Sequence, residues 1–264
     1  MRTRLRQVGL MLLPFFAAGP VTAAPSPLAV SPLPGSPLAM TPPADAETGG
    51  DAAAELGRAL ASAAPDIDRS VLGLALQSLQ CATRDGMPAS SRLAVIDYSR
   101  PSLQPRLWVF DLERRKLMFR ELVAHGRNSG DNLTRFFSNE NGSLASSIGL
   151  FRTDETYVGS NGYSLRLDGL EPGFNDRARE RAIVMHGAPY VNDSIGGSLG
   201  RLGRSWGCPA VRLGVARQLI DTLKGGQFLF SYYPDQRWLK TSHLLSCDQP
   251  RGRPQAVVAD NSRS

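Results

Sequence analysis

Short runs of β-favouring residues, separated by Gly, Asn, Asp or Pro, fill most of this chain between residues 92 and 233. Such runs predict β-strands joined by turns. The predicted strands are residues 93–98, 106–112, 117–124, 163–167, 182–186 and 228–233. Residues 211–223 carry apolar side chains at helical spacing, and Gly225-Gly226 is a typical helix end. The pattern predicts a β-rich α+β domain of ordinary single-domain size, with one helix late in the chain.

Two further helices are predicted before the strands. Residues 52–63 are rich in alanine, and residues 67–82 carry apolar side chains at helical spacing. Asp66 or Asp68 provides the N-cap of the second helix. We expect this second helix to pack on the β-rich domain.

The first 23 residues have the three-part pattern of a secretory signal peptide. Arg2, Arg4 and Arg6 precede an apolar run at residues 8–18, and small residues follow at 21–23. The apolar run is about half as long as the ~20 residues that cross a bilayer. We therefore expect an exported protein with no stable membrane span after cleavage.

Charge and metal-ligand patterns exclude two classes of partner. The net charge of +6 includes the three arginines of the leader, and the other basic residues are spread along the chain. No basic stripe interleaved with aromatic residues occurs, so no nucleic-acid partner is predicted. The sequence has neither a C-x-x-C pair nor an H-E-x-x-H motif, so we predict no metal site and no cofactor.

The pentapeptide Ser-Trp-Gly-Cys-Pro at residues 205–209 and the His186-Gly187 step form the candidate reactive pattern. A thiol is a strong nucleophile only as the thiolate, which a nearby imidazole can generate. Gly207 lets a substrate carbonyl approach the backbone and leaves its N–H as an oxyanion donor. The pattern predicts Cys208 as nucleophile and His186 as base; the alternative is an inert, buried cysteine.

Two features of the sequence concern whether Cys208 is ionised and whether it is free of a disulfide. The helix predicted at residues 211–223 begins just after it, and a helix N-terminus lowers the pKa of a nearby thiol. In an exported protein Cys81 and Cys247 can form a disulfide, which would leave Cys208 as the free thiol. The alternative is that both are unpaired, because sequence does not fix the geometry that a disulfide requires.

His125-Gly126 repeats the His-Gly step after a predicted strand. Three interpretations of His125 stay open at this point. It contacts substrate, it is the base in place of His186, or it is a structural histidine at the end of a strand.

Two segments carry a resemblance to a known family. Residues 181–188 (Arg-Ala-Ile-Val-Met-His-Gly-Ala) and 204–211 (Arg-Ser-Trp-Gly-Cys-Pro-Ala-Val) resemble the L,D-transpeptidase catalytic domain of the YkuD-like bacterial wall enzymes. Residues 122–126, 143–151 and 162–170 resemble its divergent murein branch. The resemblance implies a catalytic β-sandwich-like fold, with N-terminal helices and one helix after the nucleophile.

The resemblance also implies an activity, a peptidoglycan L,D-transpeptidase located in the periplasm and associated with the wall. Its partners would be stem peptides and glycan strands. The Cys208 thiolate would attack an L-residue carbonyl of a donor stem, with His186 as base, and a diaminopimelate side-chain amine would resolve the thioester. Gly207 and Cys208 would supply oxyanion donors, and Ser205 would shape the turn.

A second group of residues has an implied substrate role. Three of its members are arginines that either hold stem carboxylates bidentately or are simply solvated charges. The group comprises His125, Tyr163, Gly187, Arg201, Arg204, Trp206 and Arg212.

Departures from the family pattern concern the choice of donor. Trp206 stands where the family has histidine, and Ala210 stands where it has asparagine or arginine. A Gly-rich loop at residues 195–203 lengthens the interval between the base and the nucleophile. We expect the L-alanine carbonyl, giving L-Ala to meso-diaminopimelate links, to be slightly favoured over meso-diaminopimelate as donor.

Residues 24–50 form a Pro- and Ala-rich segment that favours extended chain. It is either a spacer or an arm that folds over the cleft and narrows it. The predicted organisation is a signal peptide at 1–23, this segment at 24–50, helices at 51–90, the catalytic domain at 91–240 and a tail at 241–264.

Two other functions remain open. Water that resolves the same thioester would make the protein an L,D-carboxypeptidase or amidase, and a structural cysteine would leave a non-catalytic wall-binding module. D,D-transpeptidase chemistry is disfavoured because the chain has no Ser-x-x-Lys motif.

Overall fold

Secondary structure in the computed structural model is described for residues 45–247, and side chains from residue 51 onward. Within this part the helices are α1 (Asp45–Ala63), α2 (Arg69–Arg84), α3 (Asp193–Leu199), α4 (Leu213–Leu223) and α5 (Gln236–Thr241), followed by a 3-10 turn at His243–Leu245. The strands are β1 (Arg92–Asp97), β2 (Leu107–Asp111), β3 (Lys116–Glu121), β4 (Gly149–Gly159), β5 (Gly162–Gly169), β6 (Val184–Ala188), β7 (Ala210–Arg212) and β8 (Phe228–Tyr232).

These strands form one mixed sheet in the order β3-β2-β1-β8-β4-β5-β6-β7. β1 pairs with β8 and β6 with β7 in parallel, and the other neighbours are antiparallel. His186 on β6 lies opposite Ala210 on β7. The β6–β7 pairing therefore brings the two segments of the reactive pattern to one edge of the sheet.

Alternate residues of β1 face two different cores, because successive side chains of a strand point to opposite sides. Leu93 and Val95 join a cluster with α1, α2 and the C-terminal 3-10 turn, whereas Ala94 and Ile96 join a cluster with α4. The second cluster also contains residues of β5 and β6, so side chains from both halves of the sheet meet there, as in a sandwich. The predicted β-rich, sandwich-like α+β fold, with N-terminal helices and a helix after the nucleophile, is confirmed.

Helix α2 begins where its sequence predicts. Asp68 is the N-cap, and its Oδ1 accepts hydrogen bonds from the backbone N–H groups of Ser70 at 2.7 Å and Val71 at 3.3 Å. Asp66, the other predicted cap, forms an ion pair with Arg120 at 2.7 Å. It thereby ties the start of the helical segment to β3.

The C-terminal segment is anchored to α2. Cys81 forms a disulfide with Cys247, with 5.6 Å between their Cα atoms, and Cys208 is the free cysteine. Leu244 and Leu245 are buried in the same cluster as α2. The segment predicted as a tail from residue 241 therefore packs on the domain up to the disulfide.

Three elements differ from the sequence-based expectations. Strand β4 was not predicted, because its second half is half-buried or exposed and shows no apolar alternation. Part of the predicted Gly-rich loop is α3, whose N-cap Asn192 accepts a hydrogen bond from Ile195 N at 2.8 Å. Helix α4 begins at Leu213, because residues 210–212 pair with β6 as β7. Cys208 therefore lies five residues before the first residue of α4, rather than three residues before the helix start predicted at residue 211.

Two predicted segments fall largely outside the described residues. The signal peptide at 1–23 lies wholly outside them, and so does the Pro- and Ala-rich segment up to residue 44. The described chain contains no helix with both the length and the apolar character needed to cross a bilayer.

Candidate active site

Cys208 lies two residues before β7 and is 8% exposed. Its Sγ accepts a hydrogen bond from the backbone N–H of Val184 at 3.4 Å and lies 3.6 Å from the carbonyl oxygen of Ala182. Ala182 has a φ of 51°, which is uncommon for a residue other than glycine. Burial raises the pKa of the Cys208 thiol, whereas the Val184 N–H and the positive charge of Arg181 oppose that rise.

Ser205 bridges two backbone groups of the turn that holds the thiol. Its Oγ donates to the carbonyl oxygen of Cys208 at 2.6 Å and accepts from the N–H of Gly207 at 3.1 Å. The Gly207 N–H is thus engaged within the turn. Of the two expected oxyanion donors, the N–H of Cys208 is therefore the one that Ser205 does not engage.

Two glycines allow the turn to pack closely. Gly207 has a φ of 125°, and a Cβ there would lie 2.8 Å from the carbonyl oxygen of Ala145. A Cβ on Gly126 would lie 2.9 Å from the Cα of Gly207. Ser146 Oγ joins the same two glycines, since it accepts from Gly126 N and donates to Gly207 O, each at 3.0 Å. The close approach of these backbones leaves no room for side chains.

His186 is buried on β6 beside the cysteine turn. Its Nδ1 lies 3.0 Å from the carbonyl oxygen of Gly187, and a proton donated there leaves Nε2 as the basic nitrogen. Burial lowers the pKa of His186, and the Gly187 carbonyl opposes this effect. The neutral imidazole, which is the form a general base requires, is favoured. A Cβ on Gly187 would lie 2.7 Å from the Cβ of Ala216, so this glycine lets α4 pack against β6.

Cys208 and His186 line one cleft of about 440 Å³, a volume that suits a small or extended ligand. The other described residues that line it are Tyr157, Ser160, Asn161, Arg181, Ala182, Tyr190, Arg204, Ser205 and Trp206. They include two arginines and no carboxylate, so the cleft favours an anionic ligand. Within residues 51–247 no group of three or more His, Cys, Asp or Glu side chains is arranged to hold a metal ion.

Two of the expected substrate residues line this cleft. Trp206 is 74% exposed at its edge. Arg204 also lines it, although its Nη1 donates to Asp131 Oδ1 at 3.1 Å. Arg201 lies nearby and forms an ion pair with the same carboxylate at 3.5 Å.

The polar ends of two other expected substrate residues are engaged within the protein. Arg212 Nε and Nη2 donate to the two carboxylate oxygens of Glu121 at 2.8 and 2.7 Å. The Tyr163 hydroxyl donates to Asp221 Oδ1 at 2.7 Å. Neither side chain is among those that line the cleft.

His125 lies behind the cysteine turn and is 1% exposed. Its Nδ1 lies 2.7 Å from Arg106 Nη2, and its Nε2 lies 3.2 Å from the carbonyl oxygen of Gly130. Burial and the Arg106 charge lower the pKa of His125 to about 3, so the ring is neutral. Its carbonyl oxygen accepts the Ser205 N–H at 2.9 Å. Of the three interpretations of this residue, the geometry favours the structural one.

Sequence reasoning assigned no role to several residues of the cleft. Tyr157, Ser160 and Asn161 come from the β4–β5 hairpin, and β4 was not predicted. Arg181 and Tyr190 lie within five residues of His186, so proximity to the base was an available signal. Burial raises the pKa of Tyr190 to about 12, which keeps its hydroxyl protonated as a hydrogen-bond donor.

The family model of the L,D-transpeptidase catalytic domain matches residues 63–232, which is more than half of the chain. The chain belongs to this family. Comparison with curated proteins found no match.

Solved structures of L,D-transpeptidases resemble this family member at low sequence identity. One from Mycobacterium smegmatis is 12% identical with a TM-score of 0.35, over 55% of this chain and 60% of that one. L,D-transpeptidase 1 of Mycobacterium tuberculosis is 12% identical with a TM-score of 0.30, over 55% and 63%. One from Stackebrandtia nassauensis is 12% identical with a TM-score of 0.31, over 69% and 78%. The match spans less than two thirds of the two mycobacterial chains.

Proposed function

We propose that this member of the L,D-transpeptidase family cross-links peptidoglycan stem peptides through a thioester on Cys208. The observation that supports this most directly is that the free cysteine and the neutral, buried His186 line the same cleft. A nucleophile and a base that open to one cavity are the requirement for acyl transfer through a covalent intermediate.

In the first half-reaction, His186 Nε2 accepts the thiol proton as Sγ bonds to an L-residue carbonyl carbon of the donor stem. The N–H of Cys208 donates to the oxyanion that develops on the carbonyl oxygen. Collapse of this tetrahedral species breaks the peptide bond, and the leaving amine takes the proton from His186. The product is a thioester between the donor stem and Cys208.

In the second half-reaction, the side-chain amine of a diaminopimelate on a neighbouring stem attacks the thioester carbon. His186 accepts the proton that this amine loses and returns it to the departing sulfur, so the thiol is regenerated. Arg181 and Arg204 line the cleft, and their positive charges can bind a stem carboxylate.

For the donor, we propose the L-alanine carbonyl slightly ahead of the diaminopimelate carbonyl. This choice rests on Trp206 and Ala210, the departures from the family pattern beside the nucleophile, together with a Pro- and Ala-rich segment that would narrow the cleft if it folds over it. The substrate and the N-terminal sequence together support an exported, periplasmic and wall-associated protein.

Purified sacculi incubated with the protein test the activity. We expect new dimeric muropeptides, whose mass-spectrometric fragments identify the donor residue. Cys208→Ala should abolish them, whereas Arg212→Gln, which lies outside the cleft, should retain them. Shortened monomers without dimers would instead identify a hydrolase. Sacculus binding that Cys208→Ala leaves unchanged, with no product from either protein, would identify a wall-binding module.

A further inference from the structure

The Cys208 thiolate needs a positive charge that the proposed base does not supply. Among the described residues, the hydrogen-bond partners of Sγ are the backbone groups of Val184 and Ala182. His186 is buried and favours its neutral form. A buried thiolate without a compensating charge is costly, since burial penalises the charged form.

We propose that Arg181 is the fixed positive charge that stabilises the Cys208 thiolate. Arg181 lines the same cleft as Cys208 and lies at the entry to β6, next to the residue whose carbonyl contacts Sγ. This proposal deepens the proposed function, since it concerns the same nucleophile.

The guanidinium of Arg181 is held rigidly by neutral acceptors. Its Nη1 donates to the Ser138 carbonyl oxygen at 2.6 Å and to Ser147 Oγ at 2.5 Å. Its Nη2 donates to Ser143 Oγ at 3.0 Å and to the Ala145 carbonyl oxygen at 2.7 Å. Four hydrogen bonds of this kind fix the position of the charge and leave it uncancelled.

Two carboxylates near Arg181, Glu180 in sequence and Glu140 in space, are paired with another arginine. Arg177 binds Glu180 at 2.8 Å and Glu140 at 3.3 Å. Within residues 51–247, Arg181 itself forms no ion pair with a carboxylate. Burial lowers the pKa of Arg181, and the Cys208 thiolate is the strongest of the charges that oppose this, ahead of Glu140.

In this proposal Arg181 and His186 have different roles. Arg181 favours the thiolate at all times through its charge, and His186 moves the proton during reaction. Arg181 also tethers residues 138–147, a segment that packs against Gly207. A test of the proposal must separate its charge from this structural role.

Alkylation of Cys208 by iodoacetamide gives that separation, because Cys208 is the free thiol of the full chain with its disulfide intact. The rate is measured from about pH 6 to about pH 11, since only the thiolate reacts. Arg181→Gln should raise the midpoint of the pH–rate profile by about one unit, a tenfold lower thiolate fraction below the midpoint. Arg181→Lys should shift it by less than half as much. Arg181→Met provides a second neutral variant if the first does not fold.

Arg204→Gln is the matched control, because this second arginine of the cleft is paired with Asp131. Its midpoint should stay at the wild-type value. A folded neutral variant with an unchanged midpoint would overturn the proposal, and so would an equal shift in the control. Thermal denaturation of each variant measures the tethering role separately. Because alkylation requires no peptidoglycan, the result is independent of whether dimeric muropeptides form.

Discussion

The turn that presents the thiol depends on one residue, Gly207. It has a φ of 125°, and its missing Cβ would lie 2.8 Å from both Ala145 O and Ile183 Cδ1. An L side chain in that conformation costs about 1–3 kcal/mol before any clash is counted. We expect Gly207→Ala to lower the free energy of unfolding by about 2 kcal/mol or more and to slow Cys208 alkylation at least about tenfold. Urea unfolding and iodoacetamide kinetics measure the two effects.

Gly86 offers the matched control for this substitution. It has a φ of 96°, but a Cβ there would meet open space. Gly86→Ala should therefore show backbone strain alone, with a loss of about 1–2 kcal/mol and unchanged alkylation. Equal losses in the two variants would show that packing around Gly207 does not matter.

The lowered pKa of His186 predicts how kcat/KM depends on pH. Burial lowers its pKa, so the neutral base persists below the ordinary histidine value of about 6.5. The acid limb of kcat/KM, which reports the free enzyme, should therefore have its midpoint below that value. His186→Gln should lower kcat/KM by about 10²–10⁴-fold. A midpoint at or above the ordinary histidine pKa would contradict this assignment.

At the scale of elements, the β4–β5 hairpin forms one wall of the cleft. Tyr157 faces the cleft, whereas its neighbour Val158 is 79% exposed. Successive residues of a strand point to opposite sides. Val158 is therefore a control for a substitution of Tyr157 in the wall of the cleft. Tyr157→Ala should lower kcat/KM on sacculi by about tenfold, which is about 1.4 kcal/mol, mainly through KM. Val158→Ala should leave both constants unchanged, and a loss in both variants would point to a general effect on the hairpin.

The same hairpin marks the limit of what the sequence predicted. Strands with a buried face, such as β1 and β8, were found because their apolar runs are continuous, and α2 was found because Asp68 caps a clear apolar face. β4 was not predicted, because its second half is accessible to solvent and shows no apolar alternation. Cys208 and His186 are predictable because each is flanked by glycine, whereas the sequence predicts no role for Arg181. Its importance comes from four tertiary hydrogen bonds, which leave no local pattern.

At the scale of the whole molecule, the site is assembled from distant segments. Four separate segments meet around the thiol: residues 125–126, 145–146, 181–186 and 205–208. The pairing of β6 with β7 holds residues 181–186 and 205–208 together. The first core, with α1, α2 and the C-terminal turn, covers the other face of the central strands. The Cys81–Cys247 disulfide lies in that first core and contributes no residue to the cleft. Removal of the disulfide should therefore lower the stability of the fold without changing the reactivity of Cys208.

The disulfide closes a loop with a sequence separation of 166 residues. Loop-closure entropy assigns to a cross-link of this length about 5 kcal/mol of stability, because it restricts the unfolded chain. The double variant Cys81→Ala and Cys247→Ala should unfold at a markedly lower temperature by circular dichroism. Well below that temperature, Cys208 alkylation should stay within about twofold of wild type, since its thiolate environment is unchanged. Wild-type protein held in reductant should match the double variant in unfolding temperature. Unchanged thermal stability, or slowed alkylation in the folded double variant, would show that the two cores are coupled and that the cleft depends on the cross-link.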